Sequence, residues 1–384
     1  MRRAFKFRLY PNANQTRELG IMLETHRRLY NACLEQRNTA WETEKRSVGY
    51  YDQCAWFTAE RKANPFYARL NAQTAQATMR RLDKAFGAFF RRCKAGKKPG
   101  HPRFKGRDRF DSFTFPQYGS GIRLTGSRLR VQHVGLIRAK VHRQVEGKVK
   151  TATLLREADR WYVVLSCDLG DVVVEPNGLP PVGIDVGLEA FLTDSNGERV
   201  KNPRYLKAEL PALRVAQRTV SRRKKGGHNR RKAVHAVRVL HARVANLRRE
   251  HHHQTALKLV RSRGLIAVER LNIRGMVKSH WLARSISDAG WAGFVSILRC
   301  KAERAGAEVV EVNPAGTSQR CSGCGVVVHK TLRERWHRCP HCGLILHRDE
   351  NAARNILADA LLARMGPAGL NVDDGLHVPR SLAL

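Results

Sequence analysis

Four cysteines in one short stretch carry the sharpest chemical signal in this 384-residue sequence. Cys321, Cys324, Cys339 and Cys342 follow the spacing C-x2-C-x14-C-x2-C, and a glycine (Gly325, Gly343) follows each pair. Two turns that each present two thiolates complete the closed tetrahedral shell that a structural Zn²⁺ prefers. Four sulfurs leave no open coordination position, so such a zinc holds structure and does not activate water. His329, His337 and His341 lie nearby as alternative ligands, but the cysteine spacing favours an all-thiolate site. The other five cysteines (Cys33, Cys54, Cys93, Cys167, Cys300) stand alone. Scattered thiols plus one cluster suit a reducing compartment with a metal site, not a disulfide framework.

A second set of candidates is dispersed. Asp185 lies in the apolar run VGIDVGLEAF, Glu269 ends the apolar run LIAVE, and Asp349 stands in HRDENAARNIL, ahead of a helix-forming segment. A carboxylate within an apolar strand is costly to bury unless it is paired or binds a metal. Three carboxylates from separate elements can converge on divalent cations, and phosphodiester hydrolysis uses such clusters with two Mg²⁺ about 4 Å apart. Each residue also has a plainer reading: a strand-end capping or turn role for Asp185, an ion pair with Arg270 for Glu269, and a helix N-cap for Asp349.

The elements that must position these groups fall into two textures. Phe5, Phe7 and Leu9 alternate with polar residues up to Pro11 and predict an opening strand. A helical region follows, marked by Leu19, Leu23, His26, Leu29 or Tyr30, Cys33 and Trp41, then by Ala72, Ala75, Met79, Leu82, Phe86 and Phe89. Between Ser112 and Leu169 short alternating runs separated by turn signals predict a small β-barrel, which the opening strand could join with the helices as an insertion. The Pro-rich step EPNGLPP marks a boundary. Beyond it come strands at 182–186, 190–194, 265–268 and 308–312, and a helix opening near Ser287 or Asp288. Strand, helix, strand reads as a parallel α/β unit. The segment after Leu362 has Gly and Pro without periodicity and reads as a disordered or loosely attached tail.

Charge sets the class of partner. With 71 Lys and Arg against 33 Asp and Glu the net charge is +38. Such a surplus repels itself unless a polyanion neutralises it, which points to nucleic acid and away from small-molecule metabolism. Residues 201–263 hold 19 Lys and Arg against 2 Asp and Glu. Within that stretch Arg222, Arg223, Lys224, Lys225, Arg230 and Arg231 are candidate phosphate contacts. So are Arg80, Arg81, Lys84, Lys97, Lys98, Arg103 and Lys105 of an earlier basic run, with Phe89, Phe90, Phe104 and Phe110 interleaved as aromatic anchors. No apolar run approaches the roughly 20 residues of a membrane-spanning helix, and neither a lipidation motif nor an apolar leader is evident, so a cytoplasmic location is expected.

Several motifs together resemble the TnpB family of transposon-encoded, RNA-guided nucleases, relatives of the type V CRISPR effectors. They are FRLYPNANQ, GHPRFKGRDRFDSFTFPQ, GIDVGLEAFLTDSNGERV, VERLNIRGM, ISDAGWAGFVSILRCKAERAGAEVVEVNPAGTSQRCSGCG and CGLILHRDENAARNIL, which span nearly all of residues 2–357. The resemblance implies a ribonuclease-H-like (RuvC) nuclease domain at 181–318 and 346–362, with Asp185, Glu269 and Asp349 as its Mg²⁺-binding catalytic triad. It implies a zinc ribbon at 319–345, a wedge-like barrel at 1–12 and 110–180, and a helical recognition domain at 13–109. The implied partners are a guide RNA from the transposon end and a double-stranded DNA target read at a short flanking motif. The family often carries Asp where this chain has His347, and NLRREHHHQ offers His253 at a family histidine position without an evident role. A guided DNA-binding regulator without cleavage and an acidic-triad transposase acting without guide RNA are the alternatives. No oligomeric state follows from the sequence.

Overall fold

The computed structural model describes residues 1–331 and 333–365, and divides into two compact units, residues 1–172 and residues from 173 onward. The first unit opens with β1 (Arg2–Tyr10). Pro11 stops it, and Asn12 starts α1 (Ala13–Glu44) with a reciprocal capping box to Gln15. Next come α2 (Tyr50–Ala63), α3 (Pro65–Ala68) and α4 (Ala72–Lys94), then β2 (Ser112–Phe115), β3 (Ile122–Thr125), β4 (Arg128–Val131), β5 (Gly135–Lys140), β6 (Lys148–Glu157) and β7 (Arg160–Asp168). The strands form one antiparallel sheet in the order β2-β6-β7-β1-β5-β4-β3. The first strand therefore lies inside the sheet, between β7 and β5, and the helices are inserted between β1 and β2.

A small barrel is the expectation from the sequence, and the strand pairings give one continuous seven-stranded sheet. They run from β2 to β3 without a ladder joining these ends among the described residues. Both end strands are four residues long, and in the segment between them Tyr118 N–H donates to Lys150 O of β6 and Gly119 N–H to Ile122 O. All seven strands still bury alternate residues in one core, among them Phe5, Phe7, Phe113, Phe115, Ile122, Leu129, Ile137, Leu154 and Val163, packed against Leu19, Leu29, Met79 and Leu82 of the helices. His26 is buried there, bonded through Nδ1 to Thr78 and stacked on Phe113, and burial lowers its pKa to about 3. It is thus a neutral core histidine. Trp41, expected on the buried stripe, is instead exposed at the end of α1.

The second unit contains β8 (Val182–Val186), β9 (Ala190–Asp194), β10 (Arg199–Lys201), α5 (Tyr205–Arg222), α6 (His228–Ser262), β11 (Leu265–Glu269), α7 (Ile273–Met276), α8 (Ala283–Ala289), α9 (Trp291–Ala305), β12 (Glu308–Val312), β13 (Trp336–Arg338), β14 (Ile345–His347) and α10 (Arg348–Met365). Its main sheet has the order β10-β9-β8-β11-β12, with β8, β11 and β12 parallel and β9 and β10 antiparallel. Period-2 alternation decides which face each residue serves. Val182, Ile184, Ile266 and Val268 point to a core built with α6, α8 and α9. Leu265 and Ala267 point to the opposite face, which α10 covers with Ile356 and Ala360.

Gly183, one residue from Ile184 and so on the α10 face, is what lets that helix lie against β8. A Cβ at this position would stand 2.0 Å from Ala353 O and 2.7 Å from Leu357 N. The helix predicted to open near Ser287 or Asp288 is two helices, because Gly290 (φ 67°) ends α8 before Trp291 begins α9. Asp288 caps α5 instead, accepting from Leu206 N–H and Lys207 N–H and pairing with Arg248. Within α6, Val244 is buried but Leu247, one turn on, is exposed. The expected tail from residue 363 begins as the last turn of α10, and its remainder lies outside the described residues.

Candidate active site and metal centre

Parallel strands β8 and β11 align Val182 with Ile266, Gly183 with Ala267 and Ile184 with Val268, so Asp185 and Glu269 follow side by side at the carboxyl ends of the two strands. Both occupy the face covered by α10, whose first turn carries Asp349. The ends of parallel strands are where open α/β sheets bind ligands. Here the location follows from register plus the close approach permitted by Gly183.

The electrostatics report the convergence. Asp185 keeps part of its surface open to solvent, yet its pKa is held well above the usual carboxylate range, first by desolvation and then by the charges of Glu269 and Asp349, with Arg348 opposing. Desolvation also raises Glu269, against a hydrogen bond donated by the Thr317 hydroxyl. Asp349 Oδ2 lies 3.8 Å from His347 Nδ1 and 3.9 Å from Arg199 Nη2, and its backbone N–H donates to His347 Nδ1 at 3.2 Å. Arg199 and Arg335 share Glu189 at 3.1 and 3.2 Å. A desolvated aspartate raised by two neighbouring carboxylates is a poor structural device. A divalent cation would discharge that repulsion, and an all-oxygen donor set suits Mg²⁺. The residues therefore fit the ion.

The cysteines form a separate centre. Their four Sγ atoms lie within 4.8 Å of one another, with Cys321 to Cys342 at 3.7 Å and Cys324 to Cys339 at 3.5 Å. Tetrahedral Zn–S bonds of about 2.3 Å require S–S separations of about 3.75 Å, so the cage fits zinc. Two matched knuckles build it. Gly325 N–H donates to Cys321 O and Gly343 N–H to Cys339 O, with both glycines at positive φ (79° and 70°). His329, His337 and His341 are not in the cluster. Among the described residues the four cysteines are the one group of three or more metal-ligating side chains drawn this close, and the carboxylates do not crowd to that degree.

The candidate phosphate contacts divide. In the second unit Arg222, Arg223, Lys224, Lys225 and Arg231 are exposed, whereas Arg230 caps α5 by donating to Val220 O and Arg223 O. In the first unit Lys84, Lys97, Lys98 and Arg103 are exposed. Arg80 lies over the Tyr50 ring at 4.7 Å, Arg81 donates to both oxygens of Ser112, and Lys105 lies over Tyr30 at 5.6 Å. All three touch the fold in this way, although Arg80 and Arg81 are exposed as well. Phe90 and Phe104 are exposed, as aromatic anchors would be, but Phe110 is buried in the core. Sequence reading missed Arg17, Arg27, Arg107 and Arg156, which line one cavity of about 420 Å³ with Phe66 and Phe110. It also missed Arg199 and Thr317, which no local pattern marks because their partners are distant in the chain. Of the three consecutive histidines, His252 is the buried one, bonded to Ala289 O and stacked on Phe191.

Comparison with known proteins gives the lineage. A protein of Streptomyces pristinaespiralis named "Putative RNA-guided DNA endonuclease" is 34% identical over 380 residues, covering 94% of this chain and 90% of its own. This chain belongs to the TnpB family. Another family relative, "Putative RNA-guided DNA endonuclease InsQ" of Escherichia coli (strain K12), is 30% identical over 376 residues, covering 92% and 91% of the two chains. Residues 165–280 match the model described as "Probable transposase", and residues 291–356 match "Cas12f1-like, TNB domain", which contains the four cysteines. Residues 1–46 match a model described as "Helix-turn-helix domain", although this TnpB chain forms a strand and one unbroken 32-residue helix there. The solved "Structure of the mini-RNA-guided endonuclease CRISPR-Cas_phi3" aligns at a TM-score of 0.49 with 10% identity, over 94% of this chain and 92% of that one.

Proposed function

We propose that this TnpB-family chain is a transposon-encoded, RNA-guided DNA endonuclease that hydrolyses phosphodiester bonds with Mg²⁺. The carrying observation is the convergence of Asp185, Glu269 and Asp349 at the ends of β8 and β11 in a chain of net charge +38. On this reading residues 181–318 and 346–362 form a RuvC-like nuclease domain, and residues 319–345 a zinc ribbon. Residues 1–12 and 110–180 form a wedge, and residues 13–109 a recognition domain. The sheet order, antiparallel β10-β9-β8 followed by parallel β11 and β12, supports the ribonuclease-H-like assignment. No described helix is long and apolar enough to cross a membrane.

When bound, divalent cations would supply an activated water and neutralise the leaving oxygen. Asp185, Glu269 and Asp349 would hold them, and the positive charge of the ions would offset the burial and neighbouring charges that disfavour the Asp185 carboxylate. Arg199 and His347, which lie beside Asp349, would help to orient its carboxylate. Exposed lysines and arginines after Lys201 would hold phosphates of guide and target, while base pairing with the guide selects the sequence.

The test uses the purified ribonucleoprotein with Mg²⁺ and matched or mismatched target duplex. Guide-dependent cutting that disappears in Asp185→Ala supports the proposal. Tight guided binding without cutting supports a regulator. Because residues 165–280 match a model described as "Probable transposase", strand joining is measured in the same reaction, and joining indifferent to RNA would support that reading instead.

A further inference from the structure

We propose that Thr317 is a positioning residue, and that through it the zinc knuckle sets the place of the Glu269 carboxylate. The inference rests on the nuclease reading for what Glu269 does, but its geometry stands by itself. Thr317 is buried in the loop between β12 and Cys321, and its Oγ1 reaches both Glu269 Oε1 and Pro314 O (3.2 Å). A hydroxyl has one proton to donate, and the shorter contact with the ionisable acceptor takes it. No other hydrogen-bond donor reaches that carboxylate among the described residues.

The loop that carries Thr317 is held far more firmly than a connection requires. Asn355 Nδ2 donates to Thr317 O (2.8 Å) and to Arg320 O (2.7 Å). Asn351 Nδ2 donates to Arg320 O (2.7 Å) while its Oδ1 accepts from Ser322 N–H (2.9 Å). Arg320 pairs with Asp359 at 2.5 Å. Asn351, Asn355 and Asp359 recur every four residues and so share one face of α10. The two amides are buried, where polar groups persist only with partners, and every partner named lies in the loop 317–322. Cys321 sits inside that clamp. One rigid segment therefore joins a zinc ligand, the helix bearing Asp349 and the hydrogen-bond donor to Glu269. A module that needed only attachment would have no use for the Thr317 hydroxyl.

Thr317→Val removes the donor and keeps the branched shape, and Thr317→Ser keeps the donor. Both are compared with wild type as full-chain ribonucleoproteins for zinc content, melting temperature, target affinity, Mg²⁺ dependence of single-turnover cutting, and Mn²⁺ binding by electron paramagnetic resonance. Thr317→Val should retain zinc and target affinity, cut about 10-fold more slowly, and bind Mn²⁺ about 10-fold more weakly. Thr317→Ser should restore both. Asn355→Ala, which frees the loop without touching Glu269, should show the same pattern at smaller amplitude. Wild-type rate and Mn²⁺ affinity in Thr317→Val, losses that simply follow zinc release, or failure of the serine to rescue would each overturn the proposal. A wild-type complex that never cuts matched DNA would refute the nuclease reading, and the Mn²⁺ comparison would still test the positioning role.

Discussion

Replacing Gly183 with alanine puts the arrangement of the carboxylates to a stringent test. The added Cβ would sit 2.0 Å from Ala353 O, against the 3.4 Å at which ordinary contact begins. The two nearest obstacles, Ala353 O and Leu357 N, are backbone and the third is Leu357 Cβ, so no side-chain rotation relieves the clash. The helix α10 must retreat by about 1.4 Å, an overpacking that costs about 1–3 kcal/mol. For a unit of this size that lowers the melting temperature by roughly 2–4 °C per kcal/mol. Asp349 rides on the first turn of the same helix, and a displacement of about 1 Å at a reacting centre costs about 100-fold in rate. The assay is single-turnover cutting of a matched duplex by the ribonucleoprotein, beside thermal melting and target binding. Gly20→Ala in α1 is the control, since its Cβ meets nothing within 4 Å. It should be neutral or stabilise by about 1 kcal/mol. A Gly183→Ala enzyme that melts and cuts within twofold of wild type would refute the claim that this glycine sets the position of Asp349.

Asp185→Asn should abolish cutting yet raise the melting temperature of the metal-free protein at neutral pH. The folded form holds the Asp185 proton more tightly than the unfolded chain, so that contribution is complete below about pH 4 and is lost as pH rises through the raised folded value. The advantage of Asn should accordingly shrink toward pH 4, and added Mg²⁺ should stabilise wild type but not the variant; differential scanning calorimetry with and without Mg²⁺ reads both. Cys339→Ser should release zinc and unfold the short module around β13 and β14, because the metal substitutes for the apolar core such a module lacks; a chromogenic chelator should count about one zinc per wild-type chain and none in the variant. Neutralising Arg222, Arg223, Lys224 and Lys225 together should flatten the dependence of log affinity on log salt by roughly 3–4 for a duplex ligand. An unchanged slope in a salt titration would remove this segment from the interface.

The sequence by itself determined the features that depend on near neighbours. Cysteine spacing and following glycines specify two knuckles wherever they are placed in a fold, and the fold keeps all four thiols together. Alternation in FKFRL assigned a buried and an open face to that strand, because the side-chain period is a property of the strand alone, whereas the apolar runs VGIDV and LIAVE are buried on both faces. Only the tertiary structure decided which strands lie side by side and in what register. That pairing turns Asp185 and Glu269, 84 positions apart in the chain, into neighbours. It also put Phe110 in the core, bound Arg81 to Ser112 and Arg230 to backbone oxygens, and set the seven strands of the first unit in one continuous order. Thr317 and Gly183 carry no local signature, since a hydroxyl acquires a role from the acceptor it meets and a missing Cβ from the backbone that approaches it. Charge composition names the class of ligand; contact distances decide which charges remain free to bind it.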